Sequence, residues 1–315
     1  MTGTTMQAVS PRTWGEPDVL VPVEVPRPEP GMTEILVRVH AAGVNPIDWM
    51  IRRTGGFGGW PDPTILGYDV SGTVEAVGPG VTVHRVGDEV FGMPRFPEQT
   101  GGYAQYVVAQ ARRFVPKPTA LSHAETAALP LAGLTAYQSL IDTARLRSGE
   151  RVLIHAASGG VGHVAVQIAK AHGAYVIGTA SGAKHDMLRD LGADELIDYR
   201  TTDFTEAVHD VDVAFDAAGR DYGARSLKVL RPGGRLVSLF TPVDDALRDA
   251  ETAGIEYRWN AVEPDRVGLQ ALADLAADGR LRPVIDTVFP LDEAAKAHAY
   301  GEEGRATGKI VLAVS

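Results

Sequence analysis

The sequence predicts an α/β protein in two parts: a doubly wound parallel sheet and a mainly β, barrel-like domain. Three observations carry that prediction. Residues 151 to 162, RVLIHAASGGVG, run from a short apolar strand into small residues and on into a helical pattern. Strand and helix patterns then alternate through residue 262, with strands expected at 151–156, 175–178, 195–198, 211–215, 235–239 and 254–258. Residues 1 to 121 read instead as valine-rich alternations, such as Ile35 to Val39, Val70 to Val77 and Tyr103 to Val108, separated by Gly and Pro.

The turn after the first of those six strands has the spacing of a G-x-G-x-x-G fingerprint, with Ala157 in the first place and Gly159 and Gly162 in the others. A small first residue permits the tight strand-to-helix turn. Gly159 lets a pyrophosphate approach the backbone, and Gly162 lets the helix pack closely on the strand. Free N–H groups at the helix start, with its partial positive charge, would hold the phosphates. Ser158, Gly159, Gly160, Val161 and Gly162 are therefore the candidate cradle, and six strands are the count of a full Rossmann sheet.

In the β part, segment 72–92 places two alternating runs on either side of Gly78-Pro79-Gly80, the pattern of a small barrel-like sheet with tight corners. One helix is expected over Ile47 to Arg53, with Pro46 suited to its first turn and Thr54-Gly55-Gly56 closing it. Ser122 and Glu125 form a capping box that opens an alanine-rich helix, HAETAALPLAGLTAYQSLIDTA, and marks the start of a domain at 122–262. The tail from Glu263 holds a helix at 268–277, a strand near 284–289, a second helix and a last strand, Lys309 to Ala313. It is expected to return and complete the first domain, as 1–121 with 263–315, leaving a cleft between the domains for a ligand.

Composition removes several classes of function. A net charge of -10 with no basic cluster argues against nucleic acid. The chain has no cysteine, which excludes disulfides and cysteine-ligated zinc or iron–sulfur sites. No stretch approaches the ~18 apolar residues of a membrane span, and the first residues lack a signal-peptide pattern, so no membrane partner and a cytoplasmic location are expected.

At this point several motifs form an ordered set: AAGVNPIDWMIR (41–52), LGYDVSGTVEAVGPGV (66–81), GDEVFG (87–92), GGYAQYV (101–107), ALPLAGLTAY (128–137), the AASGGVG turn and GKIVL (308–312). With them the whole chain resembles the medium-chain dehydrogenase/reductase superfamily, in its zinc-independent quinone oxidoreductase-like branch. The resemblance implies a GroES-like catalytic domain beside the Rossmann domain. It also implies a homodimer paired through the last Rossmann strand, GIEYR, whose edge would otherwise be open. Zinc-dependent members place a metal-binding cysteine where Asn45 stands and a GH-E pattern where this chain has Gly67-Tyr68-Asp69, so no metal is expected here.

NAD-selective sites usually carry an acidic residue about 20 positions past the glycines, to accept the ribose 2′-OH. Gly178 to Lys184 contains no carboxylate. Ser181 leaves room for a 2′-phosphate and Lys184 could neutralise it, and the resemblance implies that Lys184 and Tyr199 frame that phosphate. NADPH is the expected cofactor. The competing reading of Lys184 is an ordinary solvated helix residue. At the nicotinamide end the resemblance implies Thr135, the segment Ala217-Ala218-Gly219, backbone near Phe240-Thr241, and Lys309. Thr135 is otherwise a helix threonine bonding its own backbone, and Lys309 otherwise caps the last strand into solvent.

Without a metal, hydride transfer needs an acceptor already activated by conjugation, a quinone or an α,β-unsaturated carbonyl compound. The protein then supplies placement and a donor for the growing charge on oxygen. Asn45 is the candidate donor, with an N-cap of the helix at Pro46 as its alternative role. Asp48 reads as a structural first-turn acid, and Arg52 and Arg53 as solvated helix residues. Some enoyl reductases of the superfamily carry a proton-donating tyrosine in the glycine-rich loop after this helix, where Phe57 stands here, so Tyr68 becomes the alternative donor. Phe57 and Trp60 are candidate contacts for a flat conjugated substrate, or else pack onto the domain surface. The competing class of function is a nucleotide-binding sensor or structural protein with little turnover.

Overall fold

A computed structural model describes residues 5–56, 58, 62–96 and 101–314. The chain divides into two compact units, Thr135–Val262 and the remainder on either side of it.

Unit Thr135–Val262 is built on six parallel strands. Their spatial order is Glu195–Asp198, Tyr175–Ala180, Arg151–Ile154, Val211–Asp216, Leu230–Ser238 and Glu256–Trp259. This is the Rossmann order, in which direction of growth reverses beside the first strand. Val152 lies between Val176 and Val213, and Ile154 between Gly178 and Phe215. Val152, Leu153 and Ile154 are fully buried, which explains their unbroken apolar run: a parallel sheet is covered on both faces. Leu153, Ile177, Ala214 and Leu236 join Phe204 and Ile255 in one core cluster. The last strand begins at Glu256 rather than at 254, because Gly254 takes a left-handed φ of 65° and its carbonyl accepts from Gly233 N.

The flanking unit carries a seven-stranded sheet and a two-stranded one. Its organising strand is Glu34–Val44, paired antiparallel along its length with Asp69–Val77. On its other side it pairs first with Tyr106–Gln110, through 34–38, and then with Lys309–Ala313, through 41–44. Beyond these lie Glu89–Gly92, Phe114–Pro116 and Ile285–Pro290. Alternating Ile35, Val37 and Val39 are buried with Val70, Val74, Val90 and Phe114 in the barrel core. Thr5–Pro11 and Leu20–Pro26 form the separate antiparallel pair.

The alanine-rich stretch after Ser122 is not one helix. It breaks into His123–Ala127 and Pro130–Tyr137, followed by a π-helical segment Gln138–Thr143. Pro130 has no N–H to continue the first helix and disfavours helical backbone at the residue before it, yet suits the start of the second. The Ser122–Glu125 capping box forms. The helix it caps nevertheless packs with the barrel unit, through Ser71 Oγ to His123 Nδ1 at 2.8 Å and Arg282 Nε to Glu125 Oε1 at 2.8 Å. The division therefore falls after Leu134, later than the boundary at 121/122.

Close strand approach depends on Gly72. A Cβ there would lie 2.1 Å from the carbonyl oxygen of Arg38 on the neighbouring strand. Gly72→Ala is expected to destabilise the protein by about 1–3 kcal/mol, the usual cost of overpacking, read as a lowered denaturation midpoint; an unchanged midpoint would show that the strand pair yields freely.

Candidate functional site

Apart from Thr135, on helix Pro130–Tyr137, and Lys309, in the barrel unit, the nucleotide-binding candidates lie at the carboxyl ends of the parallel strands. Strand Arg151–Ile154 turns sharply at Ala156, which adopts a left-handed φ of 51°, one residue before the position the fingerprint assigns to the tight turn. Ala157 N then bonds Thr179 O on the next strand, and Gly159 N bonds Ala156 O. The N–H groups of Ser158, Gly160 and Val161 have no acceptor among the described residues. They stand half-buried at the start of helix Gly162–Ala171, a set of donors suited to phosphate oxygens. Gly162 is required by packing: a Cβ there would sit 2.2 Å from Ala156 O. The cradle fits a dinucleotide.

Parallel pairing of Ala180 with Asp198 sets Ser181, Lys184, Tyr199 and Arg200 at adjacent strand ends. Ser181 is buried, Lys184 half-buried and Tyr199 exposed, with the Arg200 guanidinium 5.9 Å from the Tyr199 ring centre. Asp198 accepts from Gly182 N at 2.9 Å and Arg200 N at 3.0 Å, and these backbone bonds, the Arg200 one foremost, hold its pKa below the usual value. Its charge is thus directed at backbone. One strand further on, buried Asp216 accepts from Ala218 N and Gly219 N, while its second oxygen accepts from Ser238 Oγ. Gly219, at φ 73°, leaves no room for a Cβ against the Phe240 ring, which brings the Ala217 loop up to Phe240 and Thr241. Asp216 was not singled out from the sequence; the acid ending an apolar strand just before Ala-Ala-Gly was its signal. Thr135 is 5% exposed.

In the barrel unit the structure gathers Asn45, Asp48, Asp69 and Lys309, all at most 3% exposed. Asn45 precedes helix Pro46–Thr54. Its Nδ2 donates to Asp69 Oδ2 at 2.8 Å, and its Oδ1 accepts from Lys309 Nζ. Lys309 also donates to Val44 O at 3.0 Å and lies 3.4 Å from Asp69 Oδ2. Asp69 Oδ1 in turn accepts from Leu131 N at 2.6 Å. Lys309 does not cap its strand into solvent: pairing of Ile310 with Val44 turns the ammonium inward.

Asp48 is more than a first-turn acid. It accepts from Asn45 N at 2.8 Å and from Gly67 N at 3.1 Å, and bonds the Tyr103 hydroxyl, which also meets His298 Nε2 at 3.1 Å. Burial raises its pKa to about 7, opposed by the Asn45 bond and reinforced by the nearby Asp69 charge. Arg52 is likewise buried rather than solvated, bonding Glu302 at 2.7 Å. Tyr68 is 1% exposed, and burial together with the Asp48 charge pushes its phenol above its ordinary pKa. Phe57 and Trp60 lie outside the described residues.

Comparison with known proteins adds to this geometry. Residues 31–119 match the family described as alcohol dehydrogenase GroES-like domain, and residues 191–312 that described as zinc-binding dehydrogenase. The chain is 37% identical over 320 residues to the 2-methylene-furan-3-one reductase of Solanum lycopersicum, with 98% of this chain and 79% of that one covered. It is 38% identical over 302 residues to the pikromycin polyketide synthase component PikAII of Streptomyces venezuelae, and there spans only 8% of a much longer protein. The solved quinone oxidoreductase from Coxiella burnetii aligns with a TM-score of 0.91 at 37% identity, over 99% of this chain and 100% of that one. One of the family descriptions implies zinc, and the residues do not fit it. The chain has no cysteine, no three His, Asp or Glu groups among the described residues could hold a metal, and beside Asn45 and Asp69 stands the fixed Lys309 cation.

Asp48 gives a pH test. Its pKa is raised on folding, so its contribution to stability is fully present below about 4, its unfolded range, and is lost as pH rises through 7. Asp48→Asn, which cannot ionise, is expected to gain in melting temperature relative to the parent as pH rises from about 5 to 8; a difference independent of pH would contradict the shift.

Proposed function

The chain belongs to the medium-chain dehydrogenase/reductase superfamily, in its quinone oxidoreductase-like group, and from that premise we propose that it is a metal-independent, NADPH-dependent reductase of quinones or α,β-unsaturated carbonyl compounds. The observation that carries the proposal is the Lys309 ammonium seated against Asn45 and Asp69, a cation supplied by the chain itself. With no Lewis acid to activate a simple carbonyl, the acceptor must bring its own activation through conjugation. The similarity to an enone reductase and to a quinone oxidoreductase supports both acceptor classes.

Reduced nicotinamide, when bound, supplies the hydride. The chain's own groups bind and orient. The N–H groups of Ser158, Gly160 and Val161 receive the pyrophosphate, and Thr135, Ala217, Phe240 and Thr241 surround the nicotinamide end. Asn45 Nδ2–H stabilises the negative charge that builds on the acceptor oxygen. The proton that completes the reduction comes from solvent, with Tyr68, buried at 1% exposure, as the alternative donor.

NADPH is favoured over NADH because no carboxylate ends strand Tyr175–Ala180, and Ser181, Lys184 and Tyr199, at adjacent strand ends, are the groups proposed to receive a 2′-phosphate. The Asp198 carboxylate at the adjacent strand end accepts from the backbone N–H groups of Gly182 and Arg200. Edge strand Glu256–Trp259, paired on one side only, is the surface through which two copies are proposed to join.

Turnover of a quinone and an enone, measured beside NADPH binding, tests the function: oxidation of NADPH by at least one acceptor is expected. Tight binding with neither reduced would instead indicate a nucleotide-binding protein. Lys184→Glu is expected to raise KM for NADPH about tenfold and to leave KM for NADH nearly unchanged; equal effects would remove the case for a 2′-phosphate site.

A further inference from the structure

The two ends of the Asn45 carboxamide differ chemically, and their neighbours tell them apart. Nδ2 faces the Asp69 carboxylate and Oδ1 faces the Lys309 ammonium. Turning the amide over would set its NH₂ against the ammonium and its oxygen against the carboxylate. Both contacts would then be repulsive, donor against donor and acceptor against acceptor. Asn45, Asp69 and Lys309 are 1%, 0% and 3% exposed, so both clashes would fall between buried groups, where an unmatched polar contact is costly.

The neighbours are themselves held in place. Asp69 Oδ1 is occupied by Leu131 N at 2.6 Å, and Lys309 Nζ by Val44 O at 3.0 Å. Gly43 makes room for the carboxylate, since a Cβ there would lie 2.6 Å from Asp69 Oδ2. Nδ2 carries two hydrogens, and Asp69 is its one acceptor among the described residues.

We propose that Lys309 and Asp69 are positioning residues that fix the orientation of the Asn45 amide, so that it presents an N–H and not its carbonyl to the acceptor oxygen. The inference rests on the reductase function proposed above. Lys309 has a second effect through the same contact. An ammonium on the amide oxygen draws electron density from the nitrogen and strengthens the remaining N–H as a donor, in a buried setting where such a bond is strongest.

The test is a double-mutant cycle on the full-length, NADPH-loaded protein, with a quinone and an enone as acceptors. Wild-type turnover comes first; failure to reduce either acceptor removes the reductase reading and the inference with it. Given turnover, Asn45→Ala is expected to lower kcat on the order of 10²-fold, as loss of one oxyanion donor does. Lys309→Met is expected to lower kcat about tenfold with KM for NADPH unchanged, and Lys309→Arg to recover part of that loss. In the Asn45→Ala background, Lys309→Met should cost nothing further, because its effect passes through the amide. Losses that multiply, or a change confined to KM, would overturn the inference while leaving the reductase intact. Should Lys309→Met not fold, Asn45→Asp carries the test: it keeps the contact to Lys309 but removes the N–H, so kcat must fall while NADPH binding persists, and an undiminished kcat overturns the inference.

Discussion

A lysine reaching inward from one strand to the backbone and side chains of two others is the contact on which the barrel unit's candidate site depends. Lys309 bonds Val44 O and Asn45 Oδ1 and faces Asp69, so three segments distant in sequence share one buried charge. An isolated ammonium in such a place would cost several kcal/mol in lost hydration; a carboxylate and two oxygen acceptors offset it only where geometry is good. Buried pairs of this kind stabilise little against apolar replacements, while deletion of one partner leaves the other charge uncompensated, at about 3–5 kcal/mol. Their retention fits a role in specificity of arrangement, here the orientation of a single amide.

The other unit is built on a different plan. Its central parallel strands bury both faces, and the candidate nucleotide-binding loops begin at their carboxyl ends. Acids there serve the backbone: Asp198 and Asp216 each accept two N–H groups and so shape the loops on which a cofactor would rest.

Much of this was legible in the residues. The six-strand alternation, the small residues of the turn and the capping box at Ser122 depend on local pattern, and local pattern survives in the structure. What the pattern did not convey was placement across long separations. Asn45 resembles an N-cap and Lys309 a strand-end cation because each is read against its own neighbours. Their meeting depends on the antiparallel register of Ile310 with Val44, over 260 residues apart in sequence. The break at Pro130 was visible as a proline, yet an alanine-rich context on both sides obscured it. Asp48 was read from the favourable helix dipole, which says nothing of how deeply a side chain is buried.

The route of the chain gives the Lys309 contact a temporal meaning. Asn45 and Asp69 precede residues 135–262, and Lys309 follows them, so a nascent polypeptide leaves the ribosome with the amide and the carboxylate long before their cation exists. Until then the barrel sheet lacks the strand that pairs with residues 41–44, and Asp69 has no ammonium to face. Closing that gap costs less entropy once the intervening residues are compact, since a folded insert shortens the loop to be closed. The inserted unit is thus also a spacer, one whose own folding shortens the gap between the two parts of the barrel sheet.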